Sequence, residues 1–202
     1  MTEAALATLG VLSGVLNTLA FVPYIRAIVR GKAKPQRTTF WIWFVVSAVG
    51  FFGQQAGGAQ WSLVWAFSGL LGTLVVASLS IKYGYGTFHW RDGLSLAVTA
   101  VGAVLAVVLH SPLLAVTTAV LIDAVGAGLT VHKTWLAPYT EPLFAWTISL
   151  VAALCGVLAV GRWQPAIFLA PLFNLVMNVS MVGLIAYRRP RLAPTDVAVE
   201  QK

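Results

Sequence analysis

Charge is what this sequence has least of. Of its 202 residues only 9% are Asp, Glu, Lys or Arg, whereas a soluble domain carries about 25%. That is too little to cover a water-facing surface. Acidic groups are scarcer still, six in all, so the paired carboxylates of general acid and base chemistry have little to draw on. A single cysteine, Cys155, sits inside an apolar run; this excludes a disulfide framework and a thiolate metal cluster and leaves a small packing residue. His89, His110 and His132 stand at the edges of apolar runs on different connections. Neither a metal nor another cofactor is expected, and no enzymatic activity.

What the chain has is hydrophobic residues, 59% of the total. They gather in seven runs: Leu6 to Val29, Thr39 to Gln55, Trp61 to Ile81, Gly93 to Leu109, Leu113 to Val131, Leu143 to Val160 and Pro165 to Tyr187. A helix crosses a bilayer core in roughly 20 apolar residues. Helices are the expected form, because open strands would leave backbone groups unpaired in lipid and the runs lack the in-out alternation of a barrel. The fold class predicted is therefore an all-α membrane protein with seven transmembrane helices, its main partner the lipid bilayer. Thr2 and Glu3 precede the first run where a cleaved signal would carry basic residues, so the first run is expected to be retained as a span.

Threading those runs back and forth places every Lys and Arg on one side except Arg162. By the positive-inside rule that side is cytoplasmic, the N-terminus lies outside and the C-terminus inside, and the expected location is the plasma membrane. Adding or removing a span would destroy the asymmetry. The net charge of +7 is thus a topology signal. Even the basic loop from Arg30 to Arg37 suits anionic lipid better than nucleic acid, which is not expected as a partner. From Leu192 onward the chain, with Pro194, Asp196 and Glu200, has no apolar face to bury, so 191–202 reads as a disordered tail.

The two ends of the chain share a pattern. Asn17 and Asp123 each precede by six residues a matching dipeptide, Pro23-Tyr24 in the first half and Leu129-Thr130 in the second, and further on Trp43 matches Trp146 and Trp61 matches Trp163. Weak repeats of this kind are common in small transporters. A three-helix unit reverses direction, so a linker helix must intervene before a parallel second copy; Gly93 to Leu109, with no strongly polar interior residue, fits. The units are 1–87, a linker at 88–111, and 112–190, giving two parallel three-helix bundles.

Val22-Pro23-Tyr24, the basic loop with Pro35 and Gln36, Trp43 early in the second run and Tyr83-Gly84 closing the third resemble the SWEET and PQ-loop transporter clan in its full-length three-plus-one-plus-three form. The resemblance extends to about Tyr187. It implies alternating access between two bundles, and PQ-loop carriers also use an aspartate in their second repeat. The chain departs from the pattern in lacking the second-repeat proline and in carrying Asn174 and Asn178 opposite Gly72 and Val76, so the solute stays open between a sugar-like molecule and another metabolite.

Asp123 is the one acidic residue within an apolar run, where an ionised aspartate costs about 2.5 to 3.5 kcal/mol. It is read as a proton-coupling group, or else as a tie to a neighbour such as the helix bearing Asn17. Asn174 and Asn178, four apart, share a helix face and with Asn17 could bind a polar solute or join helices. Trp43 and Trp146 are candidates to stack on the solute or to anchor at the interface. Pro23 and Pro171 interrupt their helices and are read as hinges or static kinks. Gly10 and Gly14, with Gly69 and Gly72, make thin faces for close helix packing, within one chain or in a homo-oligomer. Together these features point to a carrier or facilitator for a small polar solute; the alternative is a non-transporting membrane receptor or scaffold on the same fold.

Overall fold

The computed structural model describes residues 1–85 and 111–191, with five helical positions between them: Gly93, Ala97, Val101, Val104 and Val108. Apart from those five, the expected linker helix lies outside the described residues, as do His89, Trp90, His110 and the expected tail from Leu192. The described residues form an all-helical protein. Its helices are α1 (Glu3–Val29), α2 (Arg37–Ala56), α3 (Ser62–Tyr83), α4 (Pro112–Leu136), α5 (Leu143–Leu158) and α6 (Pro165–Arg188).

The helix ends follow local chemistry. Thr2 caps α1 by accepting from the Ala5 amide at 3.3 Å, and Ser111 caps α4 by accepting from Leu114 at 3.4 Å, each satisfying a donor the helix itself leaves open. α1 and α2 stop at Gly31 and Gly58, whose φ angles of 70° and 84° suit glycine. The following amides fold back, Lys32 N–H to Ala27 O at 2.8 Å and Ala59 N–H to Gln54 O at 2.9 Å, which is the Schellman closure.

Four helices, α1, α3, α4 and α6 with its C-terminal extension, are long and apolar enough to cross a membrane. The other two fall short for different reasons. α2 has 20 residues but includes Arg37, Gln54 and Gln55; α5 has 16, about 24 Å of helix against a core of about 30 Å. α4 runs past the expected boundary at Val131 to Leu136, because Lys133 and Thr134 are buried rather than part of a loop.

The outward faces suit a hydrocarbon solvent. Leu12, Val15 and Leu19 of α1, Leu71 and Val75 of α3, Leu121 and Val125 of α4, and Val176 and Val179 of α6 are all exposed. Polar side chains such as Ser13, Asn17, Gln54, Thr130 and Asn178 are buried. In water the reverse distribution would be expected.

The helices close a ring. α1 packs on α3 and α5, α2 on α3 and α4, and α6 on α4 and α5. The neighbour order is unchanged when α1, α2 and α3 are exchanged for α4, α5 and α6. The α1–α3 seam is thin because its glycines are spent there: a methyl on Gly10 would lie 2.4 Å from the Trp61 carbonyl oxygen, on Gly14 2.5 Å from Val64, and on Gly72 2.0 Å from the Phe21 ring. These small faces therefore work within one chain.

Gly10→Val must push α1 away from the α3 backbone, and overpacking of this kind costs about 1–3 kcal/mol. The apparent melting temperature in detergent should fall clearly. Gly128→Ala, where an added methyl meets nothing within 4 Å, should leave it unchanged or raise it.

Candidate functional site

Inside the ring lies a cavity of about 150 Å³ to which all six helices contribute. Asn17 of α1, Trp43 of α2, Asp123 of α4, Trp146 of α5 and Asn174 and Asn178 of α6 all line it, so the sequence candidates for solute contact and proton coupling meet in one place. Pro23 and Pro171 do not line the cavity, but each adjoins a residue that does, Tyr24 and Ala170. Both prolines are inside their helices. Each removes the amide that would bond the carbonyl four residues earlier.

The polar groups on the wall are unequally satisfied. The Asn17 amide donates to Ser68 Oγ at 2.9 Å, and that hydroxyl donates to the Trp65 carbonyl at 2.8 Å. Asn17 thus ties α1 to α3, not to the helix bearing Asp123. Asn178 Nδ2 donates to Asn174 Oδ1 and to the Asn174 carbonyl, each at 2.8 Å, consistent with their four-residue spacing on one face. Asn178 Oδ1 and Gln54 Oε1 are left without a hydrogen-bond partner, as are the indole nitrogens of Trp43 and Trp65. Asp123 is half-buried on the cavity wall, with its carboxyl beside the Trp43 indole; the indole N–H nevertheless makes no well-formed hydrogen bond.

At the end of the ring where the basic residues gather, the cavity has an aromatic floor. Ring centroids run from Tyr24 to Phe40 at 5.7 Å, Phe40 to Trp43 at 5.0 Å and Trp43 to Trp146 at 6.2 Å. Trp43 and Trp146 meet edge to face, a favourable arrangement for aromatic pairs, so the two matching tryptophans touch each other.

Glu141 fastens the two ends of this chain of rings. It is fully buried in the connection between α4 and α5 and accepts from the Tyr24 hydroxyl and the Trp146 indole, both at 2.9 Å. Lys133 forms an ion pair with it and donates to the Lys34 carbonyl at 2.8 Å. Arg189 donates to the Glu141 backbone carbonyl at 2.6 Å. Burial of two charges is costly unless their remaining hydrogen-bonding capacity is met, and here it is met on both sides.

Sequence reasoning placed Glu141 and Lys133 in a connecting loop and did not single out Gln54 or Trp65. Glu141 stands between Pro138 and Pro142, and nothing in that stretch of sequence marks the pair as buried. For Gln54 the position near the end of an apolar run hid its role. Among the described residues no group of three or more His, Cys, Asp or Glu could hold a metal ion. Comparison of the chain with family models, with curated proteins and with solved structures finds no match in any of the three.

Glu141→Gln keeps the size but leaves Lys133 buried beside a neutral group. Loss of one partner of a buried pair costs about 3–5 kcal/mol. Unfolding in detergent should show that loss, and Lys133→Met combined with Glu141→Gln should recover part of it. Equal, additive losses in the double-mutant cycle would mean that the pair does not act as a unit.

Proposed function

We propose that this protein is a membrane carrier for a small polar solute, working by alternating access between two parallel three-helix units joined by a linker helix. The observation that carries the reading is the cavity at the centre of the ring, walled by all six helices and lined by residues that include unpartnered buried polar atoms. Such atoms are costly unless something bonds them, and a solute or water that enters does so. The exchange symmetry of the helix order supports a duplicated unit, α1 to α3 and α4 to α6. Its two-fold axis would pass through the cavity.

In this reading the floor is a closed inner gate. Tyr24, Phe40 and Trp43 belong to the first unit, Glu141 and Trp146 to the second, so the Tyr24–Glu141 bond and the Trp43–Trp146 contact cross between them. Rocking one unit against the other would part both. Pro23, one residue before Tyr24, is the hinge on the first unit, and Pro171 is its counterpart on the second. The basic end is cytoplasmic, the N-terminus faces outward, and the membrane is the plasma membrane.

Asp123 is the coupling group, protonated in one half of the cycle and ionised in the other. Tyr24 is the other titratable side chain on the described wall, with its hydroxyl already engaged by Glu141; Lys133 and Glu141 pair behind the floor.

Proteoliposomes loaded with purified protein should take up labelled glucose, alanine or choline with saturation, and empty liposomes should not. Asp123→Asn should lower the flux at least tenfold or remove its pH dependence, with the fold retained. Full flux with an unchanged pH profile would assign Asp123 to structure alone, and absence of saturable flux for all three would favour a receptor.

A further inference from the structure

The cavity wall is chemically one-sided. Among its described residues there is one carboxylate, Asp123, and no Lys, Arg or His. Aromatic side chains supply much of the rest, including Tyr24, Phe40, Trp43, Trp65, Trp146 and Phe173. Their ring faces are electron-rich and attract cations, above all alkylammonium groups that shed water readily. Among the described residues the buried cation, Lys133, is held by Glu141 beneath the floor and does not line the cavity. An anion would meet a carboxylate and ring faces with no counter-charge; a cation would offset the cost of an ionised Asp123 in a low-dielectric site.

Two further features narrow the class. Asn178 Oδ1 is an acceptor without a partner in a side chain 3% exposed, and Asn174, one turn away on the same helix face, also lines the cavity. A ligand with one small group able both to donate and to accept would use them. Size is the other: a volume of about 150 Å³ suits a molecule of benzene's dimensions.

We infer, on the reading of this cavity as a transport site, that its substrate is a small organic cation carrying an ammonium group and one hydroxyl-sized polar group. Asp123 is the counter-ion, the aromatic walls surround the ammonium, and the Asn174–Asn178 pair on α6 receives the polar group. One carboxylate serves both the proton and the organic cation, so each displaces the other. Of the groups that share the site, Tyr24 is engaged by Glu141, the facing side chains of α2 and α6 (Trp43, Gln54, Asn174 and Asn178) are uncharged, and Lys133 is paired. Binding therefore weakens as the pH falls and Asp123 takes up a proton.

Choline and its neutral isostere, in which carbon replaces the ammonium nitrogen, test this by titration of tryptophan fluorescence in the detergent-purified full chain. Choline should give a saturable change and bind at least tenfold more tightly than the isostere. Asp123→Asn should weaken choline at least tenfold, leave the isostere unaffected and keep the unfolding midpoint. Choline should also bind less tightly at low pH. Equal binding of the two compounds, an unaltered Asp123→Asn variant or no response to choline would overturn the inference. Choline binding without flux in proteoliposomes would retain the cation site and reject the carrier, whereas saturable glucose or alanine flux without choline binding would retain the carrier and reject the cation.

Discussion

The ring depends on a carboxylate that no solvent reaches. Glu141 is bonded to Tyr24 from α1, Lys133 from α4 and Trp146 from α5, and its backbone is held by Arg189 beyond α6. Through Lys133 it also reaches the α1–α2 connection at Lys34. Five segments thus converge on one charge, two of them beside it in sequence and three far from it. In a low-dielectric interior each of these bonds is stronger than it would be in water, and each missing one would be correspondingly expensive. The geometry of the cavity floor follows, because Tyr24 and Trp146 are fixed at their polar tips while their rings face Phe40 and Trp43.

Lipid as solvent imposes the rest. Apolar side chains gain little by leaving a hydrocarbon environment, so helix association leans on close contact and on polar pairing inside. Both means are used. Gly10, Gly14 and Gly72 bring α1 and α3 together by shape, whereas Ser13 joins α1 to the Ala152 carbonyl of α5 at 2.7 Å and Thr39 joins α2 to the Gly126 carbonyl of α4 at 3.1 Å. In the proposed division of the chain, the glycine seam lies within a unit and these two bonds lie between units. Both kinds of seam are also closely packed along their length.

The extent to which this was legible in the sequence follows from the kind of signal involved. Six of the seven apolar runs coincide with helices to within a few residues, because hydrophobicity is local and the bilayer demands it in long blocks. The solute candidates were legible for a related reason: a polar residue such as Asn17, Asp123 or Asn178 inside an apolar run is anomalous by itself. Glu141 and Lys133 carried no such anomaly. Standing among loop residues they read as ordinary solvated charges, and only the fold, by laying α1 across the α4–α5 connection, removes water from them. Gln54 was hidden at a helix end in the same way, and Trp65 stands near the start of an apolar run, where a tryptophan reads as an interface anchor. Pairings between distant segments are not encoded in any window short enough to inspect.

The two acidic residues of the interior make the final distinction. Glu141 has a cation of the protein's own, two neutral donors and a cramped connection, so its charge is compensated in place and its replacement should be felt first as instability. Asp123 has no ion-pair partner among the described residues and borders open volume. On the proposed carrier reading, whatever neutralises it comes and goes through the cavity, whether as a proton or as a bound cation. A group that is compensated only from outside reports occupancy by its charge state, and one that is compensated from within holds the walls that define the site. With one beneath the floor and one on the wall, such a carrier would change the charge of its site while its floor keeps its bonds, until the two proposed units move apart.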